Sequence, residues 1–404
     1  MTIKKISIDQ IEPGMFVHDL NWSVNSGHLT HGHFSVTDER QIATLRGLGV
    51  RELYIDTLLG DDVRDAPTLD EVRSQLGARL LEIGGAGRAA NCQTGFYEEV
   101  DSAREVHGSA ATFIGNLMHQ VRNGKLEDMG NELLDHAHNL SQSIARNPQA
   151  LISLAQVRDK DDYTFLHSVG SAILMGAFCR TLHLGGETGR ELLTGALLHD
   201  VGKMRVDTAI LNKAGRLTPE EFEHIKLHVS FGEEILEDMP LLPETSLIVA
   251  RQHHERLDGS GYPRGLDETG ISQFGQMAAI VDVYDALTSE RVYHTAMAPV
   301  EVILKLLEWS DQHLNGELVQ HFVRTVGAFP NGTLARLASG RLAQVVSQGT
   351  AGGARPEVRM VFDTVTRREI TSPDIDLSDG VEDDMIVGWE SWEKWGLTPI
   401  PLRC

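Results

Sequence analysis

Histidine, aspartate and lysine recur in a definite order between residues 160 and 295. His167 comes first, in TFLHSVG. His199 and Asp200 follow in LLHDVGK, with Lys203 close behind. Then come His228, the run His253-His254-Glu255, the loop DGSGYP, and Asp282 and Asp285 in VDVYDAL. Imidazole and carboxylate together suit Fe, Mn, Zn or Ni better than Ca or Mg. His167, His199, His228, His253, His254 and Asp282, with Asp200 as a bridge, are more ligands than one tetrahedral site needs, which favours two metals. Two metals roughly 3.5 to 4 Å apart can activate a bridging hydroxide and stabilise an in-line displacement at phosphorus. Lys203, about one turn beyond Asp200, can neutralise charge on a phosphoryl group.

A lone histidine is more often a core or capping residue than a ligand. A second His-Asp pair, His18-Asp19, stands where no other metal-like pattern exists and shows how weak that dipeptide is alone. The information lies in the ordered sum of the groups. His224 reads as a surface residue. His28, His31 and His33 read as loop residues, with no carboxylate at ligand spacing.

The groups must be carried by helices. Glu191 to Val201 has an apolar stripe of Leu192, Leu193, Ala196 and Leu197, and Gly202 can end it, so His199 and Asp200 fall in its last turn. Their side chains leave the axis about 100° apart, close enough to serve one site. Thr218-x-x-Glu221 with Pro219 predicts a capping box and a helix that carries His224 and His228. Ser246 opens a helix that ends in His253-His254. Phe274 to Leu287 is largely apolar yet holds Asp282 and Asp285 one turn apart. Carboxylates there are costly unless paired or metal-bound, and Asp285 could simply pair with Lys203.

The rest of the chain sets the frame. Its 404 residues suffice for two or three domains, with 41% hydrophobic and 23% charged residues. A net charge of -22 argues against binding a nucleic-acid polymer, and bound cations would supply the local positive charge an anionic substrate needs. Cys92, Cys179 and Cys404 form no CxxC pair, which fits a reducing compartment. No signal peptide or membrane span is visible, so a cytoplasmic location is expected.

Along the chain, residues 1–66 predict a small α+β domain, with a helix over Thr37 to Gly49 capped by Thr37 and a short strand over Leu53 to Leu58. Residues 67–149 predict a helical connector, broken near Gly84 to Gly95, with Leu133, Leu134, Leu140 and Ile144 at helical spacing and Pro148 at a boundary. Helices continue to about residue 328. Residues 329–404 predict a β-rich module with strands near Leu342 to Val346 and Val358 to Val365. Asp374 to Asp384 reads as a solvated acidic loop.

LLHDVGK, HHERLDGSGYP and VDVYDALTSERVY, in that order, resemble the HD-GYP subgroup of the HD phosphohydrolase superfamily over about residues 150–328. IEPGMFVHDL with LYID resembles a small domain found ahead of HD-GYP in bacterial proteins, and the carboxy-terminal part resembles extensions of some relatives. The resemblance implies a mainly α-helical catalytic domain with two divalent metal ions, Fe or Mn, that hydrolyses cyclic di-GMP to linear pGpG or onward to GMP. It implies one metal on His167, His199, Asp200 and Asp282. The second would sit on His228, His253 and His254, with Asp200 bridging. Lys203 would contact the scissile phosphate, Asp285 would orient Lys203 or the nucleophilic water, and Arg291 would contact a substrate phosphate. Gly261, Tyr262 and Pro263 would shape the site.

Two departures from the family pattern matter. Some relatives carry a glutamate where this chain has Tyr163, and it helps them hold a third metal; its loss favours two. Relatives commonly have Arg-Pro-Tyr-Lys where this chain reads Arg291-Val292-Tyr293-His294, so one phosphate contact is lost. Three other readings stay open: a cyclic di-GMP-binding or protein-docking module with little turnover, a phosphohydrolase of another nucleotide, and a structural helical protein. Protein partners at the GYP loop or the amino-terminal domain, and a homodimer, also stay open.

Overall fold

The structure is a computed structural model that describes the chain apart from residues 1, 22–32, 86–91, 126–128, 157–162, 214, 216, 240–241, 291–295, 311, 349–354, 380–383 and 401–404. Arg291, Tyr293, His294, His28, His31 and Cys404 thus lie outside the described residues.

Strands β1 (Ile3–Ser7), β2 (Phe16–Asp19), β3 (Phe34–Ser35) and β4 (Glu52–Asp56) form an antiparallel sheet in the order β1-β4-β2-β3, with α1 (Glu39–Gly47) against it. Ile6, Val17, Ile42, Leu45, Leu53 and Ile55 make its separate core. Asp38, not Thr37, caps α1. Its carboxylate accepts from Arg40 N and Gln41 N, and an ionised oxygen beats a hydroxyl at a helix N-terminus. The strand stops at Asp56 because that side chain turns the chain by accepting from Leu58 N.

The middle of the chain is a stack of helices around one core. They are α2 (Leu69–Gly85), α3 (Phe96–Arg122), α4 (Gly130–Arg146), α5 (Pro148–Ala155), α6 (Tyr163–Thr181), α7 (Gly186–Leu198), the short α8 (Thr208–Leu211), α9 (Pro219–Lys226), α10 (His228–Glu237), α11 (Glu244–Gln252), α12 (Gln273–Thr288), α13 (Pro299–Glu308) and α14 (Gly316–Val326). Helix α6 packs on α7, α7 on α11, and α11 on α12. The chain leaves α7 at Leu198, earlier than periodicity predicts, and re-coils as a tight 3-10 turn over Val201–Arg205. Gly202 seats that turn on α10, where it has no room for a side chain. The capping box on Thr218 and Glu221 forms as expected, but α9 ends at Lys226 and His228 opens the next helix. Among the described residues, no helix is long and apolar enough to cross a membrane.

The last part is a six-stranded antiparallel sheet of β5 (Leu334–Leu337), β6 (Arg341–Ser347), β7 (Glu357–Asp363), β8 (Arg368–Glu369), β9 (Asp374–Asp376) and β10 (Ile386–Glu390), followed by α15 (Trp392–Trp395). The expected acidic loop is partly a strand. β9 pairs with β7, and Arg359 forks onto the Asp374 carboxylate at 2.6 and 2.9 Å, which offsets the charge.

Both flanking sheets are fastened to the helices. Glu308, at the end of α13, accepts from Tyr54 Oη at 2.6 Å and Asn21 Nδ2 at 2.9 Å, and pairs with Lys5 at 3.0 Å. Trp309 Nε1 donates to the Asn21 carbonyl at 3.0 Å. On the other side, the Trp389 ring lies against Gly77, and its indole N–H donates to Glu301 at 3.1 Å.

A methyl group at Gly202 would collide with the His228 carbonyl oxygen and Gly232 N, whereas one at the exposed helical Gly108 would meet nothing within 4 Å. We expect Gly202→Ala to destabilise the protein by about 2 kcal/mol or more. Gly108→Ala should gain about 0.5 to 1 kcal/mol. Denaturant unfolding of both variants checks this, and equal effects would contradict the packing described.

Candidate metal centre

Five imidazoles and two carboxylates meet where α6, the end of α7, the start of α10, the end of α11 and the middle of α12 converge. Their ligand atoms form two groups, each within 4.8 Å: Asp200, His228, His253 and His254, and His167, His199 and Asp282. Each of the seven residues is at most 6% exposed. Asp200 faces both groups. Its Oδ2 lies 3.5 Å from His167 Nε2 and from His199 Nε2, and its Oδ1 lies 3.4 Å from His228 Nε2.

The backbone fixes which ring nitrogen points inward. His199 Nδ1 lies 2.8 Å from the Ala196 carbonyl, His228 Nδ1 2.7 Å from that of Ile225, and His253 Nδ1 2.8 Å from that of Ala250. A carbonyl only accepts, so each Nδ1 must carry the proton and each Nε2 keeps a lone pair. This follows from position: all three residues stand at the boundary of a helix, where carbonyls of the last turn lack helical partners. His228 Nε2 and His253 Nε2 then face each other at 3.4 Å with no proton between them.

Charge tells the same story. Burial holds His228 down to about 4 and pushes His199, His253 and His254 down as well. Burial opposes ionisation of Asp200 and Asp282. The Lys203 ammonium and nearby imidazoles outweigh this for Asp200, as His254 and His167 do for Asp282, and both stay well below the usual carboxylate range. His167 is the exception. Burial works against its charge, but Asp282 and Asp285 raise it. Asp200 Oδ1 and Asp282 Oδ2 have no hydrogen-bond partner among the described residues. Buried carboxylate oxygens without donors are costly, and cations would satisfy them. The donor set therefore fits divalent metals.

Lys203 Nζ sits 2.5 Å from Asp200 Oδ2 at the edge of the cluster. Asp285, which the sequence left as a partner of Lys203 or of the nucleophilic water, meets a histidine here. Its Oδ2 lies 2.6 Å from His167 Nδ1, which makes it the carboxylate behind a ligand histidine. The signal for this pairing is absent from local spacing, since the partners are 118 residues apart.

The GYP loop is bolted to the ligand pair. Glu255, 1% exposed, accepts from Arg264 N and Leu266 N at 2.9 Å each. Tyr262 N donates to the His254 carbonyl at 3.2 Å, and its ring lies 4.5 Å from the His254 ring. Gly261 presses on Glu255 Cα and the His254 carbonyl, closer than a side chain allows, and the Tyr262-Pro263 bond is cis. His313, 3.1 Å from Asp258, braces the start of the loop. Sequence reading assigned no role to Glu255 or His313; the place of Glu255 directly after the two histidines was the available signal. His224 lies on α9, outside both ligand groups, and His33 packs beside His18.

A family model for the HD domain matches residues 138–318, and one described as a domain of unknown function (DUF3391) matches residues 3–131. A cyclic di-GMP phosphodiesterase of Pseudomonas aeruginosa is 34% identical over 397 residues, which are 97% of this chain and 93% of that protein. A cyclic di-GMP phosphodiesterase of Thermotoga maritima is 35% identical over 178 residues, 44% of this chain and 48% of its own length. A 3′3′-cGAMP-specific phosphodiesterase of Vibrio cholerae is 38% identical over 150 residues, 37% of this chain and 32% of its own length. With the first match spanning nearly both chains, this protein belongs to the HD-GYP cyclic di-GMP phosphodiesterases of the HD phosphohydrolase superfamily, preceded by a DUF3391 domain.

Proposed function

We propose that the protein hydrolyses cyclic di-GMP with two divalent cations, Fe or Mn, held by the two buried ligand groups. One would be bound by His167, His199, Asp200 and Asp282, the other by His228, His253, His254 and the second oxygen of Asp200. The observation that carries this reading is the facing Nε2 lone pairs of His228 and His253 beside carboxylate oxygens, Asp200 Oδ1 and Asp282 Oδ2, that have no hydrogen-bond partner among the described residues. When bound, such cations polarise phosphoryl oxygens and acidify water.

The chain's own residues do the rest. Asp285 holds the His167 ring through Nδ1 and so keeps Nε2 turned inward. Lys203, with a side chain 17% exposed, is the cation of the cluster that a phosphodiester entering from solvent would meet. Arg291 is a further phosphate contact in this reading. Gly261, Tyr262 and Pro263 wall the entrance. In the reaction, a water oxygen joins phosphorus and the sugar oxygen leaves with a proton, to give pGpG and, after a second cut, GMP. The similarity to three 3′3′-cGAMP-specific enzymes covers 35% to 38% of the chain, whereas one cyclic di-GMP phosphodiesterase match extends over 97%, which favours cyclic di-GMP.

The direct test is turnover of cyclic di-GMP by anaerobically prepared protein with Fe(II) or Mn(II), with the 3′3′-cGAMP dinucleotide alongside. We expect pGpG or GMP from cyclic di-GMP, and loss of at least about a thousandfold in the His199→Ala/Asp200→Ala variant. Metal-loaded protein that makes no product would sink the proposal. Asp285→Asn should weaken metal activation or turnover about 10- to 100-fold, since an amide offers the ring a weaker anchor. An unchanged metal-activation curve would mean Asp285 is mere packing.

A further inference from the structure

Cyclic di-GMP has two phosphodiesters and two purines. Only one phosphodiester can lie at the metal centre at a time, so the other half of the ring must be met elsewhere. Helix α9 stands beside the GYP loop. Phe222 and Lys226, one turn apart, flank Tyr262: the Phe222 and Tyr262 ring centroids are 6.4 Å apart and nearly perpendicular. Lys226 Nζ lies 5.4 Å from the Phe222 centroid and 5.8 Å from that of Tyr262. Tyr262 in turn lies 4.5 Å from the ring of His254 and 6.3 Å from that of His228. One ammonium and two aromatic faces thus stand immediately outside the ligand histidines.

We infer that Lys226 binds the non-scissile phosphate of the substrate while Phe222 and Tyr262 carry the neighbouring guanine. This rests on the hydrolase reading above. The ammonium is available for the purpose. Its ion pair is with Glu223 at 2.6 Å, a carboxylate 68% exposed, and such a surface pair contributes little and exchanges readily for a phosphate. Stacking between a base and an aromatic ring is sequence-tolerant, so the bases are held by their faces while the lysine supplies charge. Lys226 is a substrate-binding residue in this account and takes no part in bond cleavage.

The test measures cyclic di-GMP affinity by calorimetry and steady-state hydrolysis for wild type, Lys226→Met, Lys226→Arg and Phe222→Ala in the full, metal-loaded chain. Lys226→Met should raise Kd and KM about tenfold with kcat within about twofold, as expected for one lost charge-assisted contact. Lys226→Arg should restore most of the loss, and Phe222→Ala should raise KM several-fold. Added salt should weaken wild-type binding more than Lys226→Met binding. Unchanged Kd and KM in Lys226→Met would overturn the inference and leave the hydrolase reading intact. A fall in kcat at constant KM would overturn it too. Wild type that binds the dinucleotide without turnover would refute hydrolysis alone, and the Kd series would still decide the role of Lys226. Wild type that neither binds nor cleaves it would overturn both.

Discussion

Lone pairs of five imidazoles and two carboxylates, pushed into one buried space, repel one another at a cost to the helices that carry them. This mutual repulsion is the constraint around which the catalytic domain is organised. The domain answers it in two steps. Backbone carbonyls at helix boundaries accept hydrogen bonds from Nδ1–H of His199, His228 and His253, and Asp285 accepts that of His167. That leaves lone pairs pointing at the same small volume, where cations would satisfy them. Asp200 stands at the centre because each of its oxygens faces a different ligand group.

Close backbone approach makes the convergence possible. Gly202 lets the 3-10 turn behind Asp200 press on the start of α10, which brings His228 to Asp200. Gly195 does the same between α7 and α11, where a side chain would strike the Ser246 carbonyl, and so draws His253 toward His199. The flanking domains join the same framework. The amino-terminal sheet is tied to α13 through Glu308 and Trp309, and its Arg51 lies 3.5 Å from Asp258, the residue that begins the GYP loop. The histidine–aspartate cluster, the loop beside it and the DUF3391 domain are therefore linked by direct contacts.

The clustered histidines and aspartates stood out in the sequence because each sits at a recognisable helix boundary or in an apolar helix that cannot otherwise tolerate it. The capping box at Thr218 was legible for the same local reason. What local pattern cannot carry is a partner far along the chain. For Asp285 the sequence offered Lys203 or the nucleophilic water, and the contact with His167 on α6 was out of its reach. The early end of α7 was illegible because apolar spacing runs unbroken through Val201 while the backbone tightens beneath it. The strand at Asp374 was hidden by its own acidity, which Arg359 on the neighbouring strand offsets.

The central claim is that the two ligand groups hold two cations joined through Asp200. Electron paramagnetic resonance of the Mn(II)-loaded protein, with metal content measured on the same sample, tests it most directly. The account predicts two Mn(II) per chain, close enough to be exchange-coupled, about 3.5 to 4 Å apart. A single Mn(II), or two that give only the spectrum of isolated ions, would contradict it.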